Sequence, residues 1–168
     1  MTKLDLWRSY GLGGYIVKTF EPSRRYKSNV RKNIMWWLVS RYCRMRDARK
    51  YGACISCGRQ LLHFQEGDAG HFAPAQGCGI GLLFDLHNVN LECSRCNSKD
   101  AGHLIGYRRG LIERYGVEVV EDIERRYQAH QKAPGAEKEW NQAEYDARIK
   151  ELIARMVEED MLELTPVL

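Results

Sequence analysis

The stretch from Cys54 to Asn97 decides the fold, and it reads CISCGRQLLHFQEGDAGHFAPAQGCGIGLLFDLHNVNLECSRCN. Its two Cys-x-x-Cys knuckles, Cys54/Cys57 and Cys93/Cys96, each bring two thiols to one tight turn, and 35 residues separate them. Four thiolates match the tetrahedral coordination of Zn²⁺. Because the intervening segment is longer than in the commonest zinc fingers, we expect the zinc to close a long loop and to couple metal binding to folding.

Two other uses of the cysteines are weaker. Disulfides would need an oxidising compartment, and residues 1–15 carry Lys3, Asp5 and Arg8 without the apolar stretch of a signal peptide. A redox motif would not require the second pair. Cys43 and Cys78 stand outside the frame and are predicted to be free thiols, with Cys78, in a glycine-rich loop, as an alternative ligand.

Charge is distributed unevenly along the 168 residues. Residues 1–50 carry a net charge of +10, residues 51–110 a net charge of 0 and residues 111–168 a net charge of −6. A basic N-terminal third beside a neutral metal core predicts a polyanionic partner, most simply nucleic acid. The alternative is a solvated surface with unevenly shared charges. No segment approaches the length of a membrane span, and the thiols suit a reducing cytoplasm, so we expect a soluble cytoplasmic protein.

Three segments organise the chain. We predict an irregular basic arm over 1–27, a helix followed by the zinc-framed domain over 28–131, and a C-terminal helix within 136–164 that packs on the domain or forms a homodimer. The first helix, over 28–50, is capped by Ser28 or Asn29 and has apolar residues at helical spacing. The other predicted elements are strands at 61–66, 68–72 and within 82–91, a loop at 74–81, and helices at 104–115, 117–131 and 137–161.

Inside the frame lie the parts that hydrolysis of a phosphodiester needs. His71 is a suitable general base, because an unperturbed imidazole is largely neutral at pH 7. The Asp68 carboxylate and the Asn97 amide oxygen are hard ligands suited to Mg²⁺ or Mn²⁺. Asn88 could fix the His71 ring through a hydrogen bond, with Asn90 as the rival for that role.

The order His, Asn, Asn, with the last Asn directly after a zinc cysteine, resembles the His-Me finger (HNH) nucleases. In detail the chain is similar to the lambdoid phage NinG/Rap recombination endonuclease family, and the likeness runs from about residue 44 to residue 130. The knuckle ending Cys96-Asn97 also resembles the phage endonuclease VII family. The likeness rests on Cys54-Ile-Ser-Cys57-Gly58, Asp68-Ala-Gly-His71, Phe84, Asn88, Cys93-x-x-Cys96-Asn97, Tyr107-Arg108, Leu111-Ile112 and Glu121-Asp122-Ile123-Glu124.

The resemblance implies an α+β fold with a ββα-metal core, a four-cysteine zinc site and several surrounding helices. It implies a phage-encoded endonuclease in the bacterial host that cleaves branched recombination DNA, with His71 as base, Asn97 as metal ligand and Asn88 as support of the hairpin. One departure stands out: the superfamily commonly has a metal-binding Asp directly before the His, and here that place is Gly70. Asp68 lies three residues before His71, and on a regular strand these two side chains point to opposite faces. A bulge at Gly70 could bring Asp68 round to the metal; the alternative is an Asp that caps the turn.

Basic side chains near the site are predicted to bind DNA phosphates, which fits recognition of shape rather than of sequence. Two alternatives stay open: a non-catalytic zinc module that binds DNA or organises a recombination complex, and an HNH nicking nuclease with another role. Only an enzyme needs His71 and Asn97. The predicted DNA contacts are Arg41, Arg44, Arg95, Lys99, Arg108 and Arg109.

Overall fold

A computed structural model describes the chain at 10, 15–17, 26, 28–98, 103–162 and 164–166, with backbone alone at 15–17 and 164–166. The chain divides into two compact units, one made of Met1–Tyr42 with Trp140–Leu168 and the other of Cys43–Glu139. The division falls inside the first long helix. The described elements, in chain order, are β1 (Tyr15–Val17), α1 (Val30–Lys50), β2 (Asp68–His71), α2 (Gly79–Leu83), β3 (Val89–Glu92), α3 (Ser94–Ser98), α4 (Leu104–Tyr115), α5 (Val117–Lys132), α6 (Gln142–Glu158) and β4 (Leu164–Pro166).

Helix α1 begins where its capping signal predicts. The Asn29 Oδ1 accepts a hydrogen bond from the backbone N–H of Lys32 at 3.0 Å, which satisfies one of the free donors of the first turn. Within the first unit the helix buries Ile34 and Leu38 completely. The predicted helix over 28–50 is therefore confirmed, and Asn29 rather than Ser28 provides the cap.

Helix α6 is shorter than expected. It begins at Gln142, because Asn141 and Glu144 form a reciprocal capping box: each side chain accepts from the backbone N–H of the other residue. The predicted apolar stripe of this helix was expected to pack on the domain or against a second copy, and its members are Trp140, Ile149, Leu152, Ile153 and Met156. Within the single chain the last four are buried, together with Tyr145, whereas Trp140 precedes the helix and is half-buried.

The arm over 1–27 is only partly described. Residues 1–9, 11–14, 18–25 and 27 lie outside the described residues. In the part that is described, β1 pairs antiparallel with β4, with Tyr15 opposite Pro166. The expectation of a wholly irregular arm is therefore wrong at these three positions, where Tyr, Ile and Val are residues that favour strands.

The second unit is built around the antiparallel pair of β2 and β3. The register is continuous, with Asp68 opposite Glu92, Gly70 opposite Asn90 and His71 opposite Val89. The bulge expected at Gly70 is therefore absent. Residues opposite each other in such a pair lie on the same face, so Asp68 and Glu92 share one face while His71 starts on the other.

The strand predicted at 61–66 is a short 3₁₀ helix at Phe64–Glu66 instead. Polar side chains take up the backbone donors that a neighbouring strand would need. The Glu66 carboxylate accepts from the N–H of Leu62 at 2.8 Å, and the His63 ring accepts from the N–H of Gln65 at 3.3 Å. Local capping of this kind competes with strand pairing.

Helix α4 packs its backbone directly against the first knuckle. Gly106 and Gly110 lie one turn apart, and a methyl group at either would overlap a knuckle carbonyl: Ser56 at Gly106 and Ile55 at Gly110. Only glycine permits this approach. The helix ends at Tyr115, before Gly116, as its sequence predicts.

A buried ionic network ties the start of the second unit to β3. The Asp47 side chain is fully buried and accepts from Arg46 at 2.7 Å, from Arg114 at 3.0 Å and from the backbone N–H of Leu91 at 2.8 Å. Arg46 in turn donates to the Asn90 side chain at 3.1 Å. Since every charge has a partner, the network fixes β3 without an unpaired buried ion.

Candidate functional site

The four knuckle cysteines come together as predicted. Their Sγ atoms all lie within 4.8 Å of one another, and Cys57 Sγ lies 3.9 Å from Cys93 Sγ. A tetrahedral zinc with Zn–S bonds of about 2.3 Å requires sulfur separations of about 3.8 Å. The cluster could therefore hold a zinc ion. It is packed against buried Leu61 and Leu91, which are part of the same hydrophobic cluster.

Cys43 and Cys78 lie apart from this cluster. Both thiols are buried, at 0% and 1% exposed. Neither belongs to the group of metal-binding side chains found among the described residues. The Cys43 thiol donates to the carbonyl of Leu86, and the Cys78 thiol donates to the carbonyl of Gly79. The alternative of Cys78 as a zinc ligand is thus not supported.

The structure brings Asp68 and Asn97 into contact. Helix α3 begins directly after Cys93 and carries Asn97 one residue after Cys96, so the second knuckle sets the position of the amide. The Asn97 Nδ2 donates to the Asp68 Oδ2 at 3.3 Å. Asp68 reaches Asn97 from the start of a regular strand, without a bulge. One carboxylate and one amide oxygen are therefore available side by side.

His71 is held by a backbone carbonyl. Its Nε2 lies 3.0 Å from the carbonyl oxygen of Leu83, at the end of α2. A carbonyl can only accept, so Nε2 carries the proton, and in the neutral ring the lone pair is on Nδ1. The side chain is half-buried. Leu83 thus fixes the tautomer and the orientation that were expected to depend on Asn88.

Asn88 acts on the backbone instead. Its side chain is fully buried. The Oδ1 accepts from the N–H of Ala73 at 2.7 Å, and the Nδ2 donates to the carbonyls of Ala73 at 3.2 Å and Leu82 at 2.9 Å. These three bonds tie the chain after β2 to α2. Since Leu82 precedes Leu83, Asn88 acts on His71 at one remove, and the idea of a direct bond to the ring is wrong.

Tyr107, on α4, connects β2 to the residue that precedes β3 through its hydroxyl group. Its hydroxyl donates to the carbonyls of Gly70 at 2.8 Å and Asn88 at 3.2 Å, and it accepts from the Asn90 side chain at 3.3 Å. Burial raises the pKa of Tyr107 well above its ordinary value, which keeps the hydroxyl a donor. Asn90, the rival to Asn88, is thus part of the support under the strands.

Glu92 is a buried carboxylate on the face that carries Asp68. It is 4% exposed, and the Ser56 hydroxyl of the first knuckle donates to its Oε1. Burial raises the pKa of Glu92; the Ser56 hydrogen bond and the charge of His103 oppose this rise, and the negative charge of Asp68 adds to it. Its Oε2 occupies the space that a side chain at Gly70 would fill.

The predicted DNA contacts have different surroundings. Arg41 lies over the Trp37 ring, and Arg44 lies over the Phe64 ring and donates to the Phe64 carbonyl at 3.4 Å. Arg108 is engaged by Glu124 through two hydrogen bonds, at 2.7 and 3.2 Å. Arg95, on α3, and Arg109 are exposed. Lys99 lies outside the described residues.

Sequence reasoning missed Glu92, Tyr107 and the Leu83 carbonyl. Tyr107 was within the motif that carried the resemblance, but nothing in the sequence indicated that it contacts the strands. Glu92 immediately precedes Cys93, and this position alone could have drawn attention to it. The Leu83 carbonyl could not be predicted, because every residue has a backbone carbonyl and its role does not depend on the residue type.

A four-cysteine cluster beside a two-stranded antiparallel sheet, within a helix-rich chain, defines a small α+β protein with a candidate zinc site. The profile of the NinG family, described as Bacteriophage Lambda NinG protein, matches residues 21–155. The chain therefore belongs to the NinG family. No solved structure matches it.

Individual NinG proteins show the same relationship. The chain is 36% identical over 99 residues to the NinG protein of Salmonella phage P22, covering 59% of this chain and 47% of that protein. It is 33% identical over 106 residues to the NinG protein of Escherichia phage lambda, with the same coverage. For the NinG protein of Escherichia phage 933W the identity is 39% over 77 residues, covering 46% of this chain and 37% of that one. The matched part thus spans about half or less of these relatives.

Among the described residues, no helix has the length and apolarity to cross a membrane.

Proposed function

We propose that this NinG protein is a metal-dependent DNA endonuclease of the His-Me finger type that cleaves branched recombination intermediates. The observation that carries the proposal is the hydrogen bond between Asp68 and Asn97. It joins the start of β2 to α3, next to the zinc knuckle, and β3 pairs with β2. Two paired strands followed by a helix support a ββα-metal core, with the short helix α2 between the strands. The resemblance of the motif to phage recombination endonucleases supplies the substrate class.

His71 is proposed as the general base. With Nε2 donating to the Leu83 carbonyl, the neutral ring has its lone pair on Nδ1, which can take a proton from an attacking water. The hydrogen bond to the Leu83 carbonyl sets the tautomer and the orientation of the ring. Asn88 and Tyr107 hold the backbone on either side of the base, so they position it without touching the substrate.

Asp68 and Asn97 are proposed to hold the catalytic Mg²⁺ or Mn²⁺. The donor set fits these ions, because both side chains offer hard oxygens and Mg²⁺ usually binds proteins through one or two carboxylates while keeping several waters. When bound, the ion would neutralise the charge on the phosphate and on the departing oxygen. Asn97 can keep its N–H on Asp68 while its carbonyl oxygen faces the ion.

DNA is the proposed substrate because exposed basic side chains lie on the helices next to the two knuckles. Arg95 lies on the helix that carries Asn97. The Arg109 side chain is 71% exposed and lies 4.0 Å from Glu113 in a surface ion pair, a weak contact that a phosphate can replace. Arg108 would have to leave Glu124 to bind a phosphate, so we expect it to contribute less. Phosphate contacts give affinity without sequence information, which suits the selection of a branched shape.

The test compares cleavage of a four-way junction with cleavage of a linear duplex of the same sequence, in Mg²⁺ or Mn²⁺ and with zinc-loaded protein. His71→Ala should abolish cleavage and keep both zinc and junction binding. His87→Ala is the matched control, since this histidine lies near the same strands but is 53% exposed and has no proposed role.

Cuts near the branch point that are lost in His71→Ala and kept in His87→Ala are the expected result. Full activity of His71→Ala would contradict the proposed mechanism. Equal cutting of both substrates would point to an HNH nuclease with another role. Junction binding without cutting in either metal would favour the zinc module that organises a recombination complex.

A further inference from the structure

The carboxylate of Glu92 has one oxygen without an assigned partner. Oε1 accepts from the Ser56 hydroxyl, whereas no hydrogen bond to Oε2 is found among the described residues. The side chain is 4% exposed, yet Oε2 is not among the buried polar atoms that lack a partner in the described part of the chain, so this oxygen reaches the surface. An oxygen of a mostly buried carboxylate that is open at the surface can take a cation as its partner.

The position of Oε2 is defined by Gly70. A Cβ atom built on Gly70 would overlap Glu92 Oε2 and would lie 3.2 Å from Glu92 Cδ and 3.1 Å from Glu92 Cβ. Glu92 therefore fills the place where a side chain directly before His71 would project. Gly70 leaves this space open, and the carboxylate comes from the opposite strand.

Asp68 is separated along β2 from His71, the proposed base. Three residues of a β-strand span about 10 Å, and Asp68 is three residues before His71. The Glu92 Oε2 lies over Gly70, the neighbour of His71. Since Asp68 and Glu92 are paired across the strands on one face, the two carboxylates form one acidic surface that runs from Asn97 to Gly70. The His71 side chain starts on the other face, directly after Gly70 in the chain.

We propose that Glu92 is a third ligand of the catalytic metal and replaces the missing carboxylate at position 70. Asp68, Glu92 and Asn97 would hold the ion together, and the ligand class is a divalent cation of the Mg²⁺ or Mn²⁺ type. Two carboxylates and one amide oxygen leave room for the waters that Mg²⁺ retains. This inference rests on the proposed function, because it assigns a further residue to the same metal site.

Binding of Mn²⁺ to the full zinc-loaded chain tests the inference without DNA. Free Mn²⁺ is followed by its electron paramagnetic resonance signal in a titration, and the zinc content of each protein is measured. Glu92→Gln keeps the shape and an acceptor for Ser56 but removes the charge. We expect it to weaken Mn²⁺ binding at least about tenfold, the lower end of what even indirect supports of a metal contribute. Glu113→Gln, an exposed substitution, is the matched control.

A carboxylate transfer provides a second measurement. Glu92→Ala should lose Mn²⁺ affinity and also open the space at Gly70. Adding Gly70→Asp to Glu92→Ala then puts a carboxylate there from β2, and we expect most of the affinity to return. Rescue separates a role in coordination from a role in folding, because a merely structural Glu92 would not be replaced from position 70.

Two results would overturn the inference: wild-type protein that binds no Mn²⁺ at the millimolar level, or Glu92→Gln that retains its zinc and binds Mn²⁺ as tightly as wild type. The same experiments distinguish failure of this inference from failure of the proposed function. Mn²⁺ binding that depends on Glu92 in a protein that cuts no DNA would support Glu92 as a metal ligand and reject the nuclease activity. DNA cleavage by a protein in which Glu92→Gln leaves Mn²⁺ binding unchanged would support the nuclease activity and reject Glu92 as a ligand.

Discussion

Replacing Tyr107 by phenylalanine should loosen the strand pair that carries the site. The substitution removes only the hydroxyl, which donates to the carbonyls of Gly70 and Asn88 and accepts from Asn90. Two of these partners keep other bonds: the Asn88 carbonyl accepts from the N–H of Phe72 at 3.0 Å, and the Asn90 side chain donates to the His87 carbonyl at 2.7 Å. The loss is therefore that of one strong bond and two partial ones, about 1–3 kcal/mol.

The assay is hydrogen exchange at the amides of the strand pair, measured on zinc-loaded protein. If exchange follows opening of this pair, about 1–3 kcal/mol corresponds to roughly 5- to 150-fold faster exchange. The amide of Phe72 is the most direct probe, since it is bonded to a carbonyl that Tyr107 supports. Zinc content should not change, because Tyr107 is not a ligand.

Tyr51→Phe is the matched control. The Tyr51 hydroxyl is buried and has no hydrogen-bond partner among the described residues, while its ring lies beneath Arg114, whose guanidinium carbon is 4.1 Å from the ring centre. Removing a buried hydroxyl without a partner should leave stability unchanged or raise it. Exchange at Phe72 within twofold of wild type in Tyr107→Phe, or an equal effect of Tyr51→Phe, would refute the reasoning.

Two further substitutions test the frame around the site. Gly110→Ala gains about 1 kcal/mol in helix propensity but forces a methyl group onto the Ile55 carbonyl, an overpacking that costs about 1–3 kcal/mol. We therefore expect a lower midpoint of thermal unfolding. Gly135→Ala is the control that should leave the midpoint unchanged, since a methyl group there meets no atom within 4 Å. Cys54→Ser removes one of four thiols, and we expect loss of zinc in metal analysis and loss of protection from exchange across Cys43–Glu139; a variant that keeps one zinc and melts like wild type would contradict the four-cysteine site.

Local chemistry made part of the fold predictable. The four cysteines could be predicted to lie together because one Zn²⁺ binds four thiolates, and this holds for any fold of the intervening segment. Helix ends were readable where a side chain caps its own turn, as at Asn29. The start of α6 was missed because the capping box of Asn141 and Glu144 was not weighed against the apolar stripe that follows. Apolar periodicity locates a helix better than its ends.

The rest depended on contacts between distant residues. Asp68 and Asn97 were predicted as a pair, and they are in contact. Asp68 reaches Asn97 without the bulge that the sequence suggested, since β2 is regular at Gly70. The place of Glu92 follows from the register of β2 and β3, which a single sequence does not reveal. The support of His71 by the Leu83 carbonyl depends on α2, a helix within a segment that glycine content had marked as a loop.

The division of the chain into two units has a spectroscopic consequence. All four tryptophans, at positions 7, 36, 37 and 140, belong to the unit made of Met1–Tyr42 and Trp140–Leu168. The unit Cys43–Glu139, which holds the cysteines and the candidate site, contains tyrosine but no tryptophan. Tryptophan emission therefore reports directly on the unit without the site. A single tryptophan introduced into Cys43–Glu139, on a background with the native four replaced by phenylalanine, would give the zinc-bearing unit an optical signal of its own.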